Sequence, residues 1–193
     1  MTKSIKKPVS VSIIGGSGYT GAELIRLLSK HPYFNLFQVV ANRNVGKKIQ
    51  TVFPHLRHLD LPDFISFEEM NFEDVELIFC ALPHATSQEI IVKIPQGKKI
   101  IDLSADFRLD RLEEYESWYG KKHIAPALQE KAVYGLTEIY KKKIKEGSLI
   151  ACTGCNSAAS LYPVLPLLNE GIINCDSLTI NLGAGVSGAG RDA

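Results

Sequence analysis

The stretch IIGGSGYTGAEL, residues 13–24, decides the fold of this chain. It contains glycines at positions 16, 18 and 21 in a Gly-x-Gly-x-x-Gly arrangement, and Gly15 comes directly after a run of apolar, β-branched residues. Such glycines allow a tight turn, the approach of a backbone to a pyrophosphate, and close packing of a helix on a strand. Because the motif lies between a predicted strand and a predicted helix, it favours a dinucleotide site over an ordinary glycine turn.

The helix after the glycine loop has its own start and stop signals. Thr20 and Glu23 form a Thr-x-x-Glu pattern, which predicts a capping box worth about 1 kcal/mol. The segment ELIRLLSK, residues 23–30, carries apolar residues at helical spacing, and Pro32 is expected to end the helix. The phosphates of a dinucleotide would lie at the N-terminus of this helix.

Apolar runs of strand length alternate with helical or loop segments along the chain. They are VSVSIIG (9–15), LFQVVA (36–41), VELIFCAL (75–82), KKIIDLS (98–104) and SLIACT (148–153). Continuous apolar runs of this length are typical of parallel strands that are covered on both faces. The sequence therefore predicts an α/β fold with a Rossmann-like, doubly wound and mostly parallel sheet.

The end of the second run indicates which dinucleotide is bound. A protein that selects NAD places an acidic residue about 20 residues after the glycines, where it binds the ribose hydroxyls. Here the sequence reads VANRNVGKK, residues 40–48, with Arg43 and no acid. This favours NADP as the cofactor, and a solvated Arg43 in a turn is the plain alternative.

Composition narrows the remaining classes of function. The 193 residues carry a formal net charge of +1, with 22% charged and 45% hydrophobic residues. This balance is typical of a soluble globular protein and gives no sign of a nucleic-acid or membrane partner. The apolar run near the basic N-terminus is too short for a signal peptide, so a cytoplasmic location is expected. The four cysteines lack the spacing of a secreted framework and are expected to be reduced thiols.

The stretch ACTGCNSAASL, residues 151–161, places two cysteines three positions apart. A zinc site needs about four ligands, and since His55 and His58 lie in a different segment, no metal is expected. A redox pair has the right spacing and stays open as an interpretation. Cys152 falls on the strand pattern, where a cysteine is usually a small buried hydrophobe. Cys155 lies at a predicted helix N-terminus, which favours a thiolate and makes it the candidate nucleophile, with a buried structural cysteine as the alternative.

An NADP site and a reactive thiol together suggest one reaction. A thiolate can attack an acyl phosphate, expel phosphate and hold the acyl group as a thioester. Hydride from NADPH then reduces the acyl group, and the product is an aldehyde.

Six sequence blocks, taken in order, resemble the N-acetyl-γ-glutamyl-phosphate reductase family of arginine biosynthesis. They are GGSGYTGAELIRLL (15–28), LPHATS (82–87), IDLSADFRL (101–109), AVYGLTEIY (132–140), TGCNSAASL (153–161) and GVSGAGR (185–191). Three of them, with DLSADFRL, VYGL and GVSGAGR, separate this family from its relative aspartate-semialdehyde dehydrogenase. The resemblance implies NADPH-dependent reduction of N-acetyl-γ-glutamyl phosphate, a small-molecule acyl phosphate, to N-acetylglutamate 5-semialdehyde. It also implies a homo-oligomer for the full-length protein.

The resemblance implies roles for individual residues as well. Cys155 matches the nucleophile of the family. The residues that match its cofactor site are Gly15, Gly16, Ser17, Gly18, Tyr19, Thr20, Gly21, Leu82, Pro83, His84, Ser187 and Gly188. Within this set, His84 either lines the cofactor cleft or acts as a general acid or base.

Further residues near these blocks are candidates for binding substrate. Ser104 and Arg108 are candidates for holding a carboxylate or phosphate, because arginine offers a planar, bidentate donor. An ion pair of Arg108 with Asp102 or Asp106 is the equal alternative. Asn156 is a candidate for donating an N–H to a developing oxyanion.

Two departures from the family pattern lead to alternatives. Thr153 precedes and Asn156 follows the Gly-Cys pair, and this variant resembles related reductases that act on aminoadipyl or glutamyl phosphates attached to a carrier protein. The second departure is that chains of the family continue past GVSGAGR into an α+β domain that carries a catalytic histidine and the oligomer surface.

This second departure predicts the domain organisation. Residues 1–153 are expected to form the NADP-binding domain, and residues 154–193 the start of an incomplete catalytic domain whose first strand is SLTINLGAG (177–185). The chain alone is then expected to have very low reductase activity. The alternative from another class is a non-catalytic nucleotide-binding or redox-sensing module, in which Cys152 and Cys155 form a reversible disulfide.

Overall fold

The computed structural model describes residues 7–191 of the chain. Its strands are β1 (Val9–Ile14), β2 (Phe34–Val40), β3 (Phe64–Ile65), β4 (Leu77–Cys80), β5 (Lys99–Asp102), β6 (Ala132–Gly135) and β7 (Leu149–Cys152). Its helices are α1 (Tyr19–Leu28), α2 (Ile49–Val52), α3 (Ser87–Ile91), α4 (Leu112–Tyr119), α5 (Pro126–Gln129), α6 (Thr137–Glu146) and α7 (Cys155–Asn169). Short 3₁₀ turns cover Asn42–Asn44, Pro54–Leu56, Cys175–Ser177 and Val186–Ala189.

The strands form one sheet in the order β3-β2-β1-β4-β5-β7-β6, and neighbouring strands are parallel. From β1 the chain builds outward to β2 and β3, then crosses to β4 on the other side of β1 and builds in the opposite direction. In doubly wound sheets, ligands bind at such a change of direction, beyond the carboxyl ends of the strands. At the far edge, β7 lies between β5 and β6, so that β6 joins the described sheet through β7 alone.

Apolar side chains bury both faces of the sheet. Along β4, Ile78 packs in one apolar cluster and its neighbour Leu77 in another, because successive side chains of a strand point to opposite faces. Helix α1 covers one face through Ile25, and α3 covers the other through Ile91. The doubly wound, parallel α/β fold predicted from the sequence is therefore confirmed.

Each of the five apolar runs predicted to be a strand forms one. The structure has two further strands that the sequence did not predict. The strand β3 has two residues, which is too short to give a pattern. The strand β6, with the sequence AVYG, ends in a glycine and is half-buried throughout, so it lacks the fully apolar character of the inner strands.

The predicted capping box at the start of α1 is wrong. The helix begins at Tyr19 with Gly18 as its N-cap, and no side chain accepts a hydrogen bond from the first turn. Thr20 is therefore the second residue inside the helix, and Glu23 instead pairs with Arg26 at 2.7 Å. The close-packed glycine loop fixes where the helix starts, and this overrides the local capping pattern.

The predicted strand at residues 177–185 is also absent from the described structure. A 3₁₀ turn covers Cys175–Ser177, and the following residues are irregular and exposed. A strand needs hydrogen-bond partners on a neighbouring strand, and no described strand lies beside this segment. Apolar, alternating sequence alone is therefore not enough to form one here.

Candidate active site

The carboxyl ends of the central strands meet at one edge of the sheet. The parallel register pairs Ile14 with both Val40 and Cys80, and pairs Asp102 with both Cys80 and Ala151. The loops after these residues therefore lie side by side. These loops carry most of the residues that the sequence analysis singled out.

The glycine loop combines tight packing with one open position. A Cβ on Gly15, whose φ is +87°, would lie 2.3 Å from the carbonyl oxygen of Ala81. A Cβ on Gly16 would lie 2.1 Å from Val39 Cγ1. At Gly18, by contrast, no atom of residues 7–191 comes within 4 Å of the Cβ position. Packing thus requires the first two glycines, whereas Gly18 borders open space that a ligand can approach.

The N-terminus of α1 is suited to an anion. A Cβ on Gly21 would lie 2.6 Å from the Gly16 backbone, so the first turn packs directly on the loop. The first intrahelical hydrogen bond runs from the Ala22 N–H to the Gly18 carbonyl oxygen at 2.9 Å. No side chain caps the N–H groups of the first turn, which precede Ala22 in the chain. The helix dipole also favours negative charge at this end. With the open space at Gly18, these features fit the pyrophosphate of a dinucleotide.

Arg43 lies at the edge of this loop. It is exposed in the 3₁₀ turn that follows β2. Two N–H groups of the glycine loop donate to the carbonyl oxygen of Val40, at 3.0 and 2.9 Å, and so tie the end of β2 to the loop. No acidic residue occurs between Arg43 and Asp60. The position where an NAD-selective protein carries an acid is therefore basic in this chain.

The two neighbouring cysteines lie in different environments. Cys155 is exposed and is the first residue of α7, with Gly154 as the N-cap. Cys152 is the half-buried last residue of β7, and burial, with a smaller contribution from Asp102, raises the pKa of its thiol to about 11. Cys155 therefore has the access that a nucleophile needs, and Cys152 stays a thiol at neutral pH.

Arg108 fastens the loop after β5 to the start of α7. Its Nε donates to the carbonyl oxygen of Cys152 at 2.7 Å, and its Nη2 donates to that of Leu103 at 2.8 Å. Its Nη1 would lie 3.1 Å from a Cβ on Gly154. No ion pair joins it to a carboxylate within residues 7–191, so the alternative interpretation of Arg108, an ion pair with Asp102 or Asp106, is wrong.

Ser104 is buried in the loop after β5. It is 1% exposed, and its hydroxyl donates to Asp102 Oδ2 at 2.6 Å and accepts from the Asp106 N–H at 3.1 Å. The hydroxyl therefore both donates and accepts inside the protein, and binding of substrate by Ser104 stays a prediction. Asp102 is fully buried, and burial raises the pKa of its carboxyl against the opposing effect of its serine hydrogen bonds.

The LPHATS turn follows β4 and lies against the glycine loop. The Leu82 side chain comes within 3.2 Å of a Cβ placed on Gly15. His84 and Pro83 are exposed, and His84 Nδ1 accepts a hydrogen bond from the Ala105 N–H at 3.0 Å. In a neutral ring this leaves the proton on Nε2. The role of His84, as a residue that lines the cofactor cleft or as a general acid or base, stays a prediction.

The side chain of Asn156 lies next to the Cys155 sulfur. The Cys155 thiol points at Asn156 Oδ1 over 3.9 Å. The carbonyl oxygen of the amide, and not its N–H, thus faces the sulfur. Donation of an N–H from Asn156 to an oxyanion stays a prediction.

The GVSGAGR block folds back against the glycine loop. Arg191 Nη1 donates to the Ser17 carbonyl oxygen at 3.2 Å, and its guanidinium lies 5.2 Å from the centre of the Phe53 ring. Ser187 lies in the same 3₁₀ turn as Gly188 and borders a cleft of about 500 Å³ beside α1. The other residues that line the cleft are Tyr19, Ala22, Glu23, Val52, Phe53, Pro54, His55 and Arg191.

Sequence reasoning missed some residues at this edge. Arg191 ends the GVSGAGR block, and its contact with Ser17 could not be predicted from the sequence. Asp106 was considered only as an ion-pair partner, yet its carboxylate accepts hydrogen bonds from the LPHATS turn.

The described part of the chain contains neither a membrane-spanning helix nor a group of metal ligands. Within residues 7–191, no helix is both long and apolar enough to cross a bilayer. Nor are three or more histidine, cysteine, aspartate or glutamate side chains grouped there in a way that could bind a metal ion.

Residues 10–147 match the family described as semialdehyde dehydrogenase, NAD binding domain. The chain belongs to this family. It is 53% identical over 182 residues to an N-acetyl-gamma-glutamyl-phosphate reductase of Cereibacter sphaeroides, which covers 94% of this chain and 53% of that protein. A Ruegeria pomeroyi protein of the same name is 50% identical over 181 residues, again 94% of this chain and 53% of that protein. The resemblance inferred from the sequence blocks is confirmed, and the chain spans about half the length of these curated relatives.

Solved structures of the semialdehyde dehydrogenase family share the fold. Aspartate semialdehyde dehydrogenase from Candida albicans, solved with NADP, superposes with a TM-score of 0.61 at 18% identity, covering 86% of this chain and 48% of that one. Aspartate semialdehyde dehydrogenase II from Vibrio cholerae gives a TM-score of 0.60 at 15% identity, covering 84% and 47%. At these identities the likeness concerns the fold.

Proposed function

We propose that this chain supplies the cofactor site and the nucleophile of an N-acetyl-γ-glutamyl-phosphate reductase. The reaction consumes N-acetyl-γ-glutamyl phosphate and NADPH and yields N-acetylglutamate 5-semialdehyde, phosphate and NADP. The observation that carries the proposal is the placement of Cys155, which is exposed at the start of α7 at the same sheet edge as the glycine loop. The name of the curated relatives, at about 50% identity, supports the choice of substrate.

The proposed cofactor is NADP. The residues that would hold it are Gly15, Gly16, Ser17, Gly18, Tyr19, Thr20 and Gly21 of the glycine loop, with Leu82, Pro83, His84, Ser187 and Gly188. Arg43 supports NADP over NAD, because a guanidinium suits a 2′-phosphate and no acid occupies that strand end. When bound, NADPH supplies the hydride that reduces the acyl group.

Cys155 is the proposed nucleophile. Its thiolate sulfur attacks the acyl carbon, and a C–S bond forms as the C–O bond to phosphate breaks, so that phosphate leaves with the electron pair. The acyl group is then held as a thioester. Once the carbon has been reduced, the C–S bond breaks, the sulfur recovers its electron pair, and the aldehyde is released. Cys152 does not compete for this role at neutral pH, because its thiol has a pKa of about 11.

Arg108 is proposed to bind an anionic group of the substrate. Its Nε and Nη2 are used to hold the backbone, and this leaves its Nη1 edge beside Gly154, one residue before the nucleophile. A guanidinium fixed in this way loses little freedom when it binds a carboxylate or phosphate. Asn156 is proposed as the donor to the developing oxyanion.

The organisation of the whole protein is part of the proposal. Residues 1–153 would form the nucleotide-binding domain, and residues 154–193 would begin the catalytic domain. The whole protein would act in the cytoplasm as a homo-oligomer.

The test is phosphate-dependent reduction of NADP with N-acetylglutamate 5-semialdehyde, measured on the longest natural form of the protein. Wild-type turnover that is lost in Cys155→Ala and kept in Cys152→Ala supports the proposal. Turnover with carrier-linked aminoadipate semialdehyde alone would move the activity to the related reductases. No turnover with either substrate, together with a Cys152–Cys155 disulfide under mild oxidation, would favour a redox-sensing module instead.

A further inference from the structure

A buried carboxylate fastens the LPHATS turn to the DLSADFRL loop. Asp106 Oδ1 accepts a hydrogen bond from the Ala85 N–H at 2.7 Å, and Asp106 Oδ2 accepts one from the Gln88 N–H at 3.2 Å. The Tyr115 hydroxyl also donates to Oδ1, at 3.0 Å. One side chain therefore links the turn, the start of α3 and the middle of α4.

The burial of this carboxylate makes its hydrogen bonds important. Asp106 is 0% exposed, and Tyr115 is 1% exposed. No basic side chain forms an ion pair with Asp106 in the described part of the chain. A buried carboxylate is costly unless donors satisfy it, and here N–H and O–H groups do so. The same donors would be left buried and unsatisfied if the carboxylate were removed.

The turn that Asp106 holds has a strained backbone at one residue. Ala85 has a φ of +63°, and no other non-glycine residue between 7 and 191 has a positive φ. A residue with a Cβ pays a conformational cost in this left-handed region, whereas glycine does not. The N–H of Ala85 is one of the groups that donate to Asp106. The carboxylate thus offsets the strain at the residue where the turn needs it.

The strained turn lies directly against the proposed nucleotide site. The carbonyl oxygen of Ala81 and the side chain of Leu82 form the wall that excludes a Cβ at Gly15. His84, next to Ala85, is exposed, and its Nδ1 accepts a hydrogen bond from the Ala105 N–H at 3.0 Å. Movement of the turn would therefore displace the Leu82 side chain that packs against the glycine loop.

We propose that Asp106 is a positioning residue of the nucleotide site. Its carboxylate keeps Ala85 in the left-handed conformation, and this conformation sets Leu82 against the glycine loop. The inference rests on the proposed binding of NADPH at that loop. Asp106 itself does not touch the cofactor.

The test compares NADPH affinities, read from the fluorescence of the bound dihydronicotinamide, for five forms of this chain. They are the wild type, Asp106→Asn, Asp110→Asn, Ala85→Gly and the double variant Asp106→Asn/Ala85→Gly. Asp110 is the matched control, since it is an exposed aspartate four residues further along the same loop. Thermal unfolding of each variant checks that it is folded.

Distinct results are expected for these variants. Asp106→Asn replaces one acceptor by an NH₂ group that faces a backbone N–H, and should weaken NADPH binding about tenfold. Asp110→Asn and Ala85→Gly should stay within about twofold of the wild type. Glycine adopts the left-handed conformation without the anchor, so the double variant should bind NADPH about threefold more tightly than Asp106→Asn. A residue that merely stabilises the fold would show no such rescue.

The outcomes separate this inference from the proposed function. If the folded Asp106→Asn variant binds NADPH like the wild type, or if Ala85→Gly rescues nothing, the positioning role of Asp106 is overturned. If the wild type binds no NADPH, the proposed cofactor fails by itself. Hydrogen exchange then tests separately whether Asp106 holds the turn: faster exchange of the Ala85 and Gln88 amides in Asp106→Asn supports this anchoring, and unchanged exchange overturns it.

A second variant covers the case in which Asp106→Asn does not fold. Ala85→Val leaves the carboxylate intact but puts a β-branched residue at a positive φ, which strains the same turn from the other partner. We expect about fivefold weaker NADPH binding by this variant. Wild-type affinity in a folded Ala85→Val variant would overturn the inference.

Discussion

Arg108 donates a hydrogen bond to the carbonyl oxygen of Cys152 at 2.7 Å, three residues before the exposed Cys155. The same guanidinium binds the carbonyl oxygen of Leu103, so it spans the loops after β5 and β7. The position of the proposed nucleophile therefore depends on a side chain from a neighbouring loop, which the sequence separates from it by 47 residues.

Replacing Arg108 by lysine should lower reductase turnover about tenfold to a hundredfold. A lysine keeps the positive charge, but its single ammonium cannot bind both carbonyl oxygens and still present a planar edge to substrate. The measurement is kcat/KM in the reductase assay. Arg111→Lys is the control, because Arg111 is exposed and pairs with Glu114 on its own helix turn. Equal activity of the two variants would contradict the role of Arg108.

The glycine loop offers a matched pair of substitutions. Gly16→Ala should lower the free energy of unfolding by about 3 kcal/mol, because its Cβ would overlap Val39 Cγ1. Gly18→Ala should change it by less than about 0.5 kcal/mol, since its Cβ would point into open space. Urea unfolding measures both values. Titration with NADPH should then show weakened binding in the well-folded Gly18→Ala variant, and unchanged binding there would argue against a pyrophosphate at this position.

Arg43→Ala should reduce the affinity for NADPH about tenfold to a hundredfold and leave the affinity for NADH nearly unchanged. The loss is that of a charged hydrogen bond to the 2′-phosphate, which NADH does not carry. Fluorescence titration with the two cofactors gives both values. Arg57→Ala, at an exposed arginine further along the chain, is the control. Equal losses for NADPH and NADH would show that Arg43 does not read the phosphate.

Alkylation should distinguish the two neighbouring cysteines by pH. At pH 8, iodoacetamide should label the exposed Cys155, whereas Cys152 should react only as the pH approaches the pKa of about 11 to which burial raises its thiol. Mass spectrometry of the digested protein identifies the labelled residue. Prior binding of NADPH should slow the labelling of Cys155 if the cofactor lies beside it. Rapid labelling of Cys152 at pH 8 would contradict the described environment.

His123 should make the stability of the chain dependent on pH in the acidic range. Burial lowers the pKa of its imidazole, whose ring nitrogens bind the Asp106 carbonyl oxygen and the Ala125 N–H. Because the unfolded chain then takes up a proton more readily, stability is full above the unfolded pKa of about 6.5 and falls as the pH drops below it.

This pH dependence is measured by thermal unfolding between pH 7 and pH 5. The loss of stability on acidification should be smaller in His123→Gln than in the wild type. The control is His58→Gln, at an exposed histidine. If His123→Gln shows the same loss as the wild type, another group is responsible.

The inner strands could be predicted from the sequence because each is buried on both faces and therefore apolar throughout. The location of Cys155 at a helix N-terminus could be predicted from the glycine that precedes the helix. The start of α1 could not, because contact between Gly21 and Gly16 fixes it, and this contact spans two elements. Local patterns report the burial of a segment, and they do not report which neighbour buries it.

Local patterns were also insufficient for the loop after β5. The sequence shows only that this loop carries three polar residues, Ser104, Asp106 and Arg108, in one family block. In the structure, Ser104 and Asp106 are buried with their polar atoms paired, and Arg108 binds carbonyl oxygens in place of an aspartate. Their roles depend on which loops the parallel sheet brings together, and local sequence patterns do not show this.

The place of β7 between β5 and β6 has a consequence for synthesis of the chain. As the ribosome delivers the chain from its N-terminus, β6 emerges before β7, the neighbour through which it joins the sheet. The half of the sheet around the glycine loop can assemble early, but β5 keeps an open edge until β7 inserts. Because Cys155 follows three residues after that strand, the step that completes the sheet also brings the proposed nucleophile into place.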